Sequence, residues 1–280
     1  MVIIQVEGGL GNQMFQGALG FSFINKGLTT KLDISKYETQ QSHNGYELER
    51  VFNINQQYCS AAEKAFVKPV SKLRHKMFGN PYKEKTEWQW RYHATVNKLN
   101  SGYLKGYWQC EKYFIEAADL VRQKFVFNPL QDDMNKAMMD KIKSHHSVSL
   151  HIRRGDYMNT GISASLNMDY YNAAIKHIND TISNPVYFVF SDDIDWAKEN
   201  IKEERTAFIG WNKGNNSYID MQLMSHCKHN IIANSSFSWW GAWLNSNAGK
   251  TVLAPQQWMP HLKNGSDVIP EGWVQIPNHF

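Results

Sequence analysis

The sequence has few cysteines and no long apolar run. Its three cysteines, Cys59, Cys110 and Cys227, lie far apart and form no Cys-x-x-Cys pair. An odd number of dispersed cysteines is typical of reduced thiols, which indicates a cytosol-like compartment. No run of about 18 apolar residues occurs, so a membrane-spanning helix is not expected. The first residues read as a strand and lack the basic and apolar regions of a secretory signal, so no such signal is expected either.

An excess of charge of one sign is also missing. The formal net charge is +4 over 280 residues, and no long run of Lys and Arg occurs. Nucleic-acid-binding proteins usually carry a continuous basic stripe, so that class is disfavoured. A small anionic ligand, or the edge of an anionic membrane, remains compatible with this charge.

The second half of the sequence alternates short apolar runs with helical patterns. This alternation predicts an α/β fold with a parallel, doubly wound sheet. The first half shows the same alternation more loosely. Asn128 and Pro129 break the pattern, so we expect one domain over residues 1–128 and a second over residues 129–280. Hydrophobic residues make up 42% of the chain, which is enough for a sizeable core.

The strongest pattern is the stretch VSLHIRRGDY, from Val148 to Tyr157. Apolar and polar residues alternate until Arg153 and Arg154, which predicts a strand that ends at the arginine pair. Ligands of open α/β sheets bind at the carboxyl ends of the strands. Two adjacent guanidinium groups match the geometry of a diphosphate. The alternative is an ordinary surface loop with salt bridges.

Two other predicted strands end in polar clusters, Ser191–Asp193 and Asn234–Ser238. The carboxyl ends of parallel strands lie at the same edge of a sheet, so the three clusters are expected to converge on one ligand. Serines at the start of a helix offer hydroxyl and backbone N–H donors to phosphate. A carboxylate matches the two adjacent donors of guanine. Together the clusters predict a site for a nucleoside diphosphate.

The aspartates at positions 192, 193 and 195 have two other interpretations. Asp193 and Asp195 form a D-x-D pattern, which can hold a divalent cation. Because the arginine pair can neutralise a diphosphate by itself, we favour a site without metal. One of Asp192 and Asp193 is expected to cap the helix that follows.

A glycine-rich segment follows the first predicted strand, Val2 to Val6. It runs from Gly8 to Gln13, and a helix is predicted from Met14 to Ile24. A strand, a glycine loop and a helix can together bind an anion through backbone amides. The pattern is not a complete G-x-G-x-x-G, because Met14 stands where the third glycine would be. A tight turn that binds nothing is therefore an equal alternative.

Taken together, these motifs resemble those of a known family, glycosyltransferase family 11. The stretch from His151 to Asp156 is similar to the H-x-R-R-x-D motif of α-1,2- and α-1,6-fucosyltransferases. Four other blocks are similar to family 11: GGLGNQMFQ from Gly8, GYWQCEKYF from Gly106, SDD from Ser191 and NSSFSWWGAWL from Asn234. The chain resembles the bacterial members, because it lacks the amino-terminal anchor of the animal Golgi members.

The resemblance implies a GT-B-like fold, with two Rossmann-like domains facing a cleft. The first domain would be on the acceptor side, and the second would bind GDP-β-L-fucose. The implied reaction transfers L-fucose, with inversion, to the 2-hydroxyl of a terminal β-galactoside. That galactoside would belong to a glycan or to a precursor of lipopolysaccharide or capsule. It forms an α-1,2 linkage and needs no metal or other cofactor. The enzyme would be cytoplasmic, and peripheral attachment to the inner membrane stays open.

The resemblance also implies roles for single residues. Arg153 and Arg154 would bind the diphosphate, His151 would contact the donor, and Asp192 would contact the guanine or the ribose. The remaining donor contacts would come from the start of a late helix and from the first domain: Ser235, Ser236, Phe237 and Ser238, and Asn12 and Gln13. The candidate acceptor contacts are aromatic, although packing in the core is the more common role of such residues: Tyr157, Trp88, Trp90 and Trp108.

Three groups are candidates for catalysis. Arg154 would stabilise the charge of the leaving GDP. Asp156 is the first candidate for the base, and its alternative role is to hold Arg154 or a backbone turn. His151 is the second candidate, and a reaction without a strong base stays open. The loop from Met158 to Asn167 is a candidate for closing over the site. The alternative functions are a metal-dependent sugar transferase and a non-catalytic nucleotide- or glycan-binding module.

Overall fold

The computed structural model describes residues 1–39, 43–54, 56–67, 85–86, 90–155, 165–262 and 266–279. The chain divides into two compact units, Met1–Asn128 and Pro129–Phe280. The assignment of the acceptor to the first unit and of the donor to the second stays a prediction. Among the described residues, no helix combines the length and the apolar character that crossing a bilayer requires.

The first unit contains a parallel sheet with the strand order β2-β1-β4-β3. Its strands are β1 (Val2–Gln5), β2 (Thr30–Asp33), β3 (Lys85–Thr86) and β4 (Gly102–Lys105). Its α-helices are α1 (Leu10–Asn25), α2 (Ser35–Thr39), α3 (Leu48–Phe52), α4 (Ala61–Val67), α5 (Ala94–Asn97) and α6 (Ala118–Lys124).

Helix α1 begins four residues before the predicted start at Met14. Gly8 has a φ of +85°, a conformation that favours glycine, and Gly9 is the N-cap residue. The N–H groups of Asn12 and Gln13 both donate to the carbonyl of Gly9, at 2.9 and 3.1 Å. The glycine loop is therefore only the Gly8-Gly9 turn, and Asn12 and Gln13 belong to the first turn of α1.

The segment before α6 is less regular than predicted. One amphipathic helix was expected from Glu111 to Phe125, but the structure has two 3₁₀ turns, Glu111–Tyr113 and Ile115–Ala117, before α6 begins. Phe114 interrupts the helical backbone with a φ of −136°. Phe114, Val121 and Phe125 are still buried, so the apolar pattern identified the buried face correctly but not the backbone.

The second unit contains a six-stranded parallel sheet with the order β10-β9-β8-β5-β6-β7. Its strands are β5 (Ser147–Ile152), β6 (Val186–Ser191), β7 (Thr206–Ile209), β8 (His229–Ile231), β9 (Val252–Pro255) and β10 (Val274–Ile276). Its α-helices are α7 (Asp133–Ser144), α8 (Met168–Thr181), α9 (Ile194–Asn200), α10 (Tyr218–His226) and α11 (Ser236–Leu244).

This strand order corresponds to the Rossmann order 3-2-1-4-5-6, with β5 as the first strand. The chain moves from β5 to β6 and β7 on one side, and then to β8, β9 and β10 on the other. The point where the direction reverses lies between β5 and β8. The predicted α/β fold with a parallel sheet is confirmed. The sequence pattern ended the sheet near Ala254 and missed β10, which pairs with β9.

Helices cover both faces of this sheet. On one face, Val148, Leu150 and Ile152 of β5 belong to a buried cluster with Tyr170 and Tyr171 of α8. The other face buries a second cluster, with members from β6, α7 and α10: Phe188, Phe190, Ile142 and Leu223. Strand β6 contributes apolar side chains to both clusters, Tyr187 and Val189 to the first and Phe188 and Phe190 to the second, which explains its continuous apolar run.

A polar network joins α7, the end of β7 and α10. Asn135 and Asn212 exchange two amide hydrogen bonds, at 2.8 and 3.0 Å, and the indole N–H of Trp211 donates to Asn135 Oδ1 at 3.0 Å. Asn212 also donates to Asp220 Oδ1 at 2.7 Å. Burial raises the pKa of the Asp220 carboxyl from 3.8 to about 7, and the hydrogen bond from Asn212 offsets only part of this shift.

We predict that Asp220→Asn stabilises the protein more at pH 8 than at pH 5. A carboxyl whose pKa is higher in the folded state weakens folding as the pH rises from its unfolded pKa towards 7, and the full cost is present above 7. The gain is at most about 4 kcal/mol, and less because the carboxyl keeps some exposure. Urea unfolding at both pH values measures it, with the exposed Asp140→Asn as the control. A gain that does not change with pH would contradict this account.

Candidate active site

Strand β5 carries the arginine pair to the edge of the second sheet. Its last residue, Ile152, pairs with Ser191 at the end of β6, and Leu150 pairs with Ile231 at the end of β8. The polar residues that follow β5, β6 and β8 therefore start at the same edge of the sheet. The side chains of Arg153 and Arg154 are 29% and 20% exposed, so part of each remains accessible.

Two carboxylates from the end of β6 hold the arginine pair. Nη1 of Arg153 lies 2.9 Å from Oδ2 of Asp192, and the backbone N–H of Arg154 donates to Oδ1 of Asp192 at 2.9 Å. Nε of Arg154 donates to Oδ2 of Asp193 at 3.2 Å. A Cβ on Gly155 would lie 2.9 Å from Asp192 Oδ2, so a larger residue there would displace the Asp192 carboxylate from this arrangement. The predicted convergence of the first two clusters is thus observed, as direct ion pairs.

Asp192 and Asp193 have different local functions. Both oxygens of Asp192 are bonded to the arginine segment, and its predicted contact with guanine or ribose stays a prediction. Asp193 is the N-cap residue of α9, and it accepts a hydrogen bond from the N–H of Trp196 at 3.2 Å. The expectation that one of the two aspartates caps the helix is confirmed.

On the β8 side, helix α11 begins within the serine cluster. Ser235 is the N-cap residue and accepts from the N–H of Phe237 at 3.3 Å. Ser238 donates its hydroxyl to the carbonyl of Ser235 at 3.4 Å. Ser235 and Ser238 are buried, whereas Ser236 and Phe237 are partly exposed. The first turn of α11 therefore lies across the point of chain reversal from the arginine pair, where a helix N-terminus favours an anion.

His151 is a buried, neutral imidazole between these two groups. It is 6% exposed, and its ring centroid lies 5.9 Å from that of Phe237. Burial, together with the charge of Arg153, lowers its pKa to about 3. Its Nδ1 atom is buried and has no hydrogen-bond partner within the described part of the chain. Buried polar atoms normally have partners, so Nδ1 can serve a ligand as a neutral donor or acceptor.

The predicted donor residues of the first unit organise the glycine turn. The buried Gln13 amide donates to the carbonyls of Gly8 and Gly45, at 3.0 and 2.8 Å, and accepts from the N–H of Glu47 at 2.8 Å. Asn12 accepts from the amide of Gln109 at 2.7 Å. These bonds fix the turn and the start of α1, and donor binding by Asn12 and Gln13 stays a prediction.

The predicted acceptor residues are less well defined. Trp108 is 1% exposed and packs edge-on against Tyr113, with 5.5 Å between ring centroids, an environment that suits a packing residue. Trp90 is partly buried. Trp88, Asp156 and Tyr157 lie outside the described residues, as does most of the loop from Met158 to Asn167. Acceptor contact by the three tryptophans and by Tyr157 stays a prediction.

Sequence reasoning missed Trp196 at this site. The Cζ atom of Arg154 lies 4.1 Å from the centroid of the Trp196 ring, which is the geometry of a cation–π contact. The only signal in the sequence is a tryptophan in the first turn of the helix that follows the SDD motif. A pairing of this kind depends on the register between β5 and β6, which the sequence pattern does not supply.

Within the described ranges, no group of three or more His, Cys, Asp and Glu side chains could hold a metal ion. The two aspartates of the D-x-D pattern have other partners: Asp193 binds Arg154, and Asp195 lies 3.6 Å from Nζ of Lys198.

A Rossmann-ordered sheet with two arginines and a helix N-terminus at its point of reversal is characteristic of nucleotide-binding α/β proteins. The chain belongs to glycosyl transferase family 11, whose family model matches residues 1–277. This confirms the family that the motifs indicated.

Two bacterial relatives match over nearly the whole chain. An α-1,2-colitosyltransferase of Escherichia coli is 34% identical, over 99% of this chain and 99% of its own length. The O-antigen biosynthesis glycosyltransferase WbnK of Escherichia coli is 31% identical, over 97% and 99%. Human galactoside α-(1,2)-fucosyltransferase 1 is 30% identical over a shorter region, 46% of this chain and 38% of its own length.

A solved structure supports the fold. An Arabidopsis thaliana FUT1 mutant in complex with GDP has a TM-score of 0.53 and 11% identity, and the match covers 92% of this chain and 72% of that chain. At this identity the likeness shows the fold alone. It agrees with the predicted α/β, GT-B-like fold class.

We predict that His151 does not titrate between pH 5 and 8. A pKa near 3 leaves the imidazole neutral throughout this range, because protonation would place a second cation in a buried position beside Arg153. NMR of ring-labelled histidine measures this, with His151→Gln used to assign the signal and the exposed histidines as internal references. A midpoint near pH 6.5 for His151 would show that the site stabilises an imidazolium.

Proposed function

We propose that this family 11 enzyme transfers L-fucose from GDP-β-L-fucose to the 2-hydroxyl of a terminal β-galactoside. The observation that carries the proposal is that the arginine pair and the first turn of α11 lie at the same edge of the sheet, on either side of its point of reversal. Arg153 and Arg154 offer charged donors, and α11 offers backbone N–H groups, at the edge where Rossmann sheets bind nucleotides. This arrangement suits a diphosphate, which becomes more negative when it leaves the sugar.

The proposed reaction is one inverting displacement. The acceptor oxygen forms a bond to the anomeric carbon while the bond from that carbon to the β-phosphate oxygen breaks. The electron pair of the broken bond stays on GDP, where Arg153 and Arg154 stabilise it more strongly in the transition state than in the bound substrate. His151 acts as a neutral hydrogen-bond partner of the donor. Its pKa of about 3 makes it a poor base.

Asp156 is the proposed base, and the acceptor hydroxyl transfers its proton to that carboxylate. The proposal rests on its place two residues after Arg154, in the motif that carries the resemblance. A carboxylate near the anomeric carbon has the basicity and the reach for this step.

We predict that Asp156→Asn lowers kcat by about 100-fold or more and leaves the affinity for GDP within a few-fold of wild type. The amide keeps the shape of the side chain but does not accept the proton. Initial rates of transfer and calorimetric GDP binding measure the two quantities. If GDP affinity falls together with kcat, Asp156 instead holds the arginine segment.

The identity of the sugar is a separate choice. Colitose is L-fucose without its 3-hydroxyl, so the fucosyl and colitosyl relatives suggest two donors of one shape. A site that forms a hydrogen bond with this hydroxyl discriminates strongly against the donor that lacks it. A site without such a contact accepts both donors. We propose L-fucose as the natural sugar.

The experiment that tests the function is a donor-by-acceptor screen. GDP-fucose and GDP-colitose are each offered with β-galactosides, with and without EDTA, and NMR determines the linkage of the product. We predict a higher kcat/KM for GDP-fucose, an α-1,2 linkage and full activity in EDTA. Transfer of colitose but not of fucose would contradict the proposal that L-fucose is the natural sugar. Loss of activity in EDTA would favour a metal-dependent transferase, and GDP binding without any transfer would favour a non-catalytic module.

A further inference from the structure

We infer that Trp196 and Asp193 are positioning residues, which fix Arg154 so that both of its terminal nitrogens face the diphosphate. The inference rests on the proposed function, and it goes beyond it by separating the roles of the two arginines. Arg154 would be the arginine that binds a phosphate in a bidentate manner, and α9 would be the support that holds it in place.

The contacts of Arg154 involve its plane and its inner nitrogen. The guanidinium lies over the Trp196 ring at 4.1 Å, and Nε donates to Asp193 Oδ2 at 3.2 Å. Within the described ranges, neither terminal Nη group of Arg154 has a hydrogen-bond partner. A guanidinium held by its face and by Nε still presents two parallel N–H donors, the arrangement that binds a phosphate.

Arg153 is held in a different way. Its terminal Nη1 lies 2.9 Å from Asp192 Oδ2, so one of its terminal nitrogens is already bonded to a carboxylate. The two adjacent arginines therefore do not offer equal donors. Arg153 contributes charge close to the site, whereas Arg154 contributes charge and an open pair of donors.

Asp193 links the first turn of α9 to the guanidinium of Arg154. One of its oxygens accepts from the backbone N–H of Trp196 at 3.2 Å, and the other accepts from Nε of Arg154. The carboxylate therefore fixes the first turn of α9, the ring on that turn and the arginine above the ring with respect to one another. A preorganised donor loses less freedom when it binds a ligand than a mobile arginine does.

The test compares GDP with GMP. The β-phosphate of GDP adds more affinity over GMP when the Arg154 donors are held in place to meet it than when they are mobile. We expect Trp196→Leu to reduce the ratio of GDP to GMP affinity by about 5- to 30-fold, the range of cation–π contacts that are partly desolvated. Trp196→Phe keeps an aromatic face and is expected to restore the ratio to within about threefold of wild type. Calorimetry of each variant with each nucleotide measures the ratio.

Two further variants separate positioning from a general loss of stability. Tyr187→Leu removes a buried ring near the start of β6, at the opposite end of the strand from the site, whose hydroxyl donates to Asn179 Oδ1 at 2.7 Å. It is expected to lower the melting temperature without changing the ratio. Asp193→Asn keeps a side chain that can cap α9 but loses the charge that holds Nε of Arg154, so it is expected to reduce the ratio. Asp193→Asn also provides the test of positioning if Trp196→Leu does not fold.

The outcomes distinguish this inference from the proposed function. If wild-type protein binds GDP more tightly than GMP, and Trp196→Leu and Asp193→Asn keep the full ratio, the positioning role is wrong and the proposed function stands. If the ratio falls equally in Tyr187→Leu, the effect is one of stability and the inference is also wrong. If wild-type protein binds neither nucleotide, the proposed function fails, and the inference fails with it.

Discussion

The ion pairs between the end of β5 and the end of β6 are the interaction on which the site depends. Two adjacent guanidinium groups repel each other, and they keep a defined arrangement only where opposite charges lie close by. Asp192 binds Arg153 and the backbone of Arg154, and Asp193 binds the Arg154 side chain. Because these partners are themselves fixed by strand β6 and helix α9, the positive charges are in place before any ligand arrives.

The order of the strands explains why an anion would be bound at this edge. After β5 the chain builds β6 and β7 on one side of that strand, and it then returns to build β8 on the other side. The segments that follow β5 and β8 therefore diverge and leave a space between them. The arginine pair follows β5, and the Ser235-capped helix α11 follows β8 shortly after. The neutral His151 lies beside Phe237 of that helix. Charged donors and backbone donors are therefore placed at the same edge of the sheet, on either side of its point of reversal.

Periodicity in the sequence predicted much of the second unit, because its strands are apolar and its helices amphipathic. The same reasoning placed the arginine pair, the SDD motif and the serine-capped helix at one edge of the sheet. It did not predict the start of α1, because Gly9 can cap a helix without a polar side chain. It also missed β10 and the contact between Trp196 and Arg154. Both depend on how segments distant in sequence align with each other. The apolar pattern of one segment does not determine that alignment.

The central claim is that the arginines at the end of β5 bind the diphosphate of a guanine nucleotide. The most direct measurement is calorimetric titration of GDP into wild-type protein, Arg154→Ala and Arg205→Ala, the last an exposed arginine that bonds Asn184. The account predicts that wild-type protein and Arg205→Ala bind GDP alike and that Arg154→Ala binds it at least about tenfold more weakly. Equal affinity of all three proteins, or no binding of GDP by wild-type protein, would contradict it.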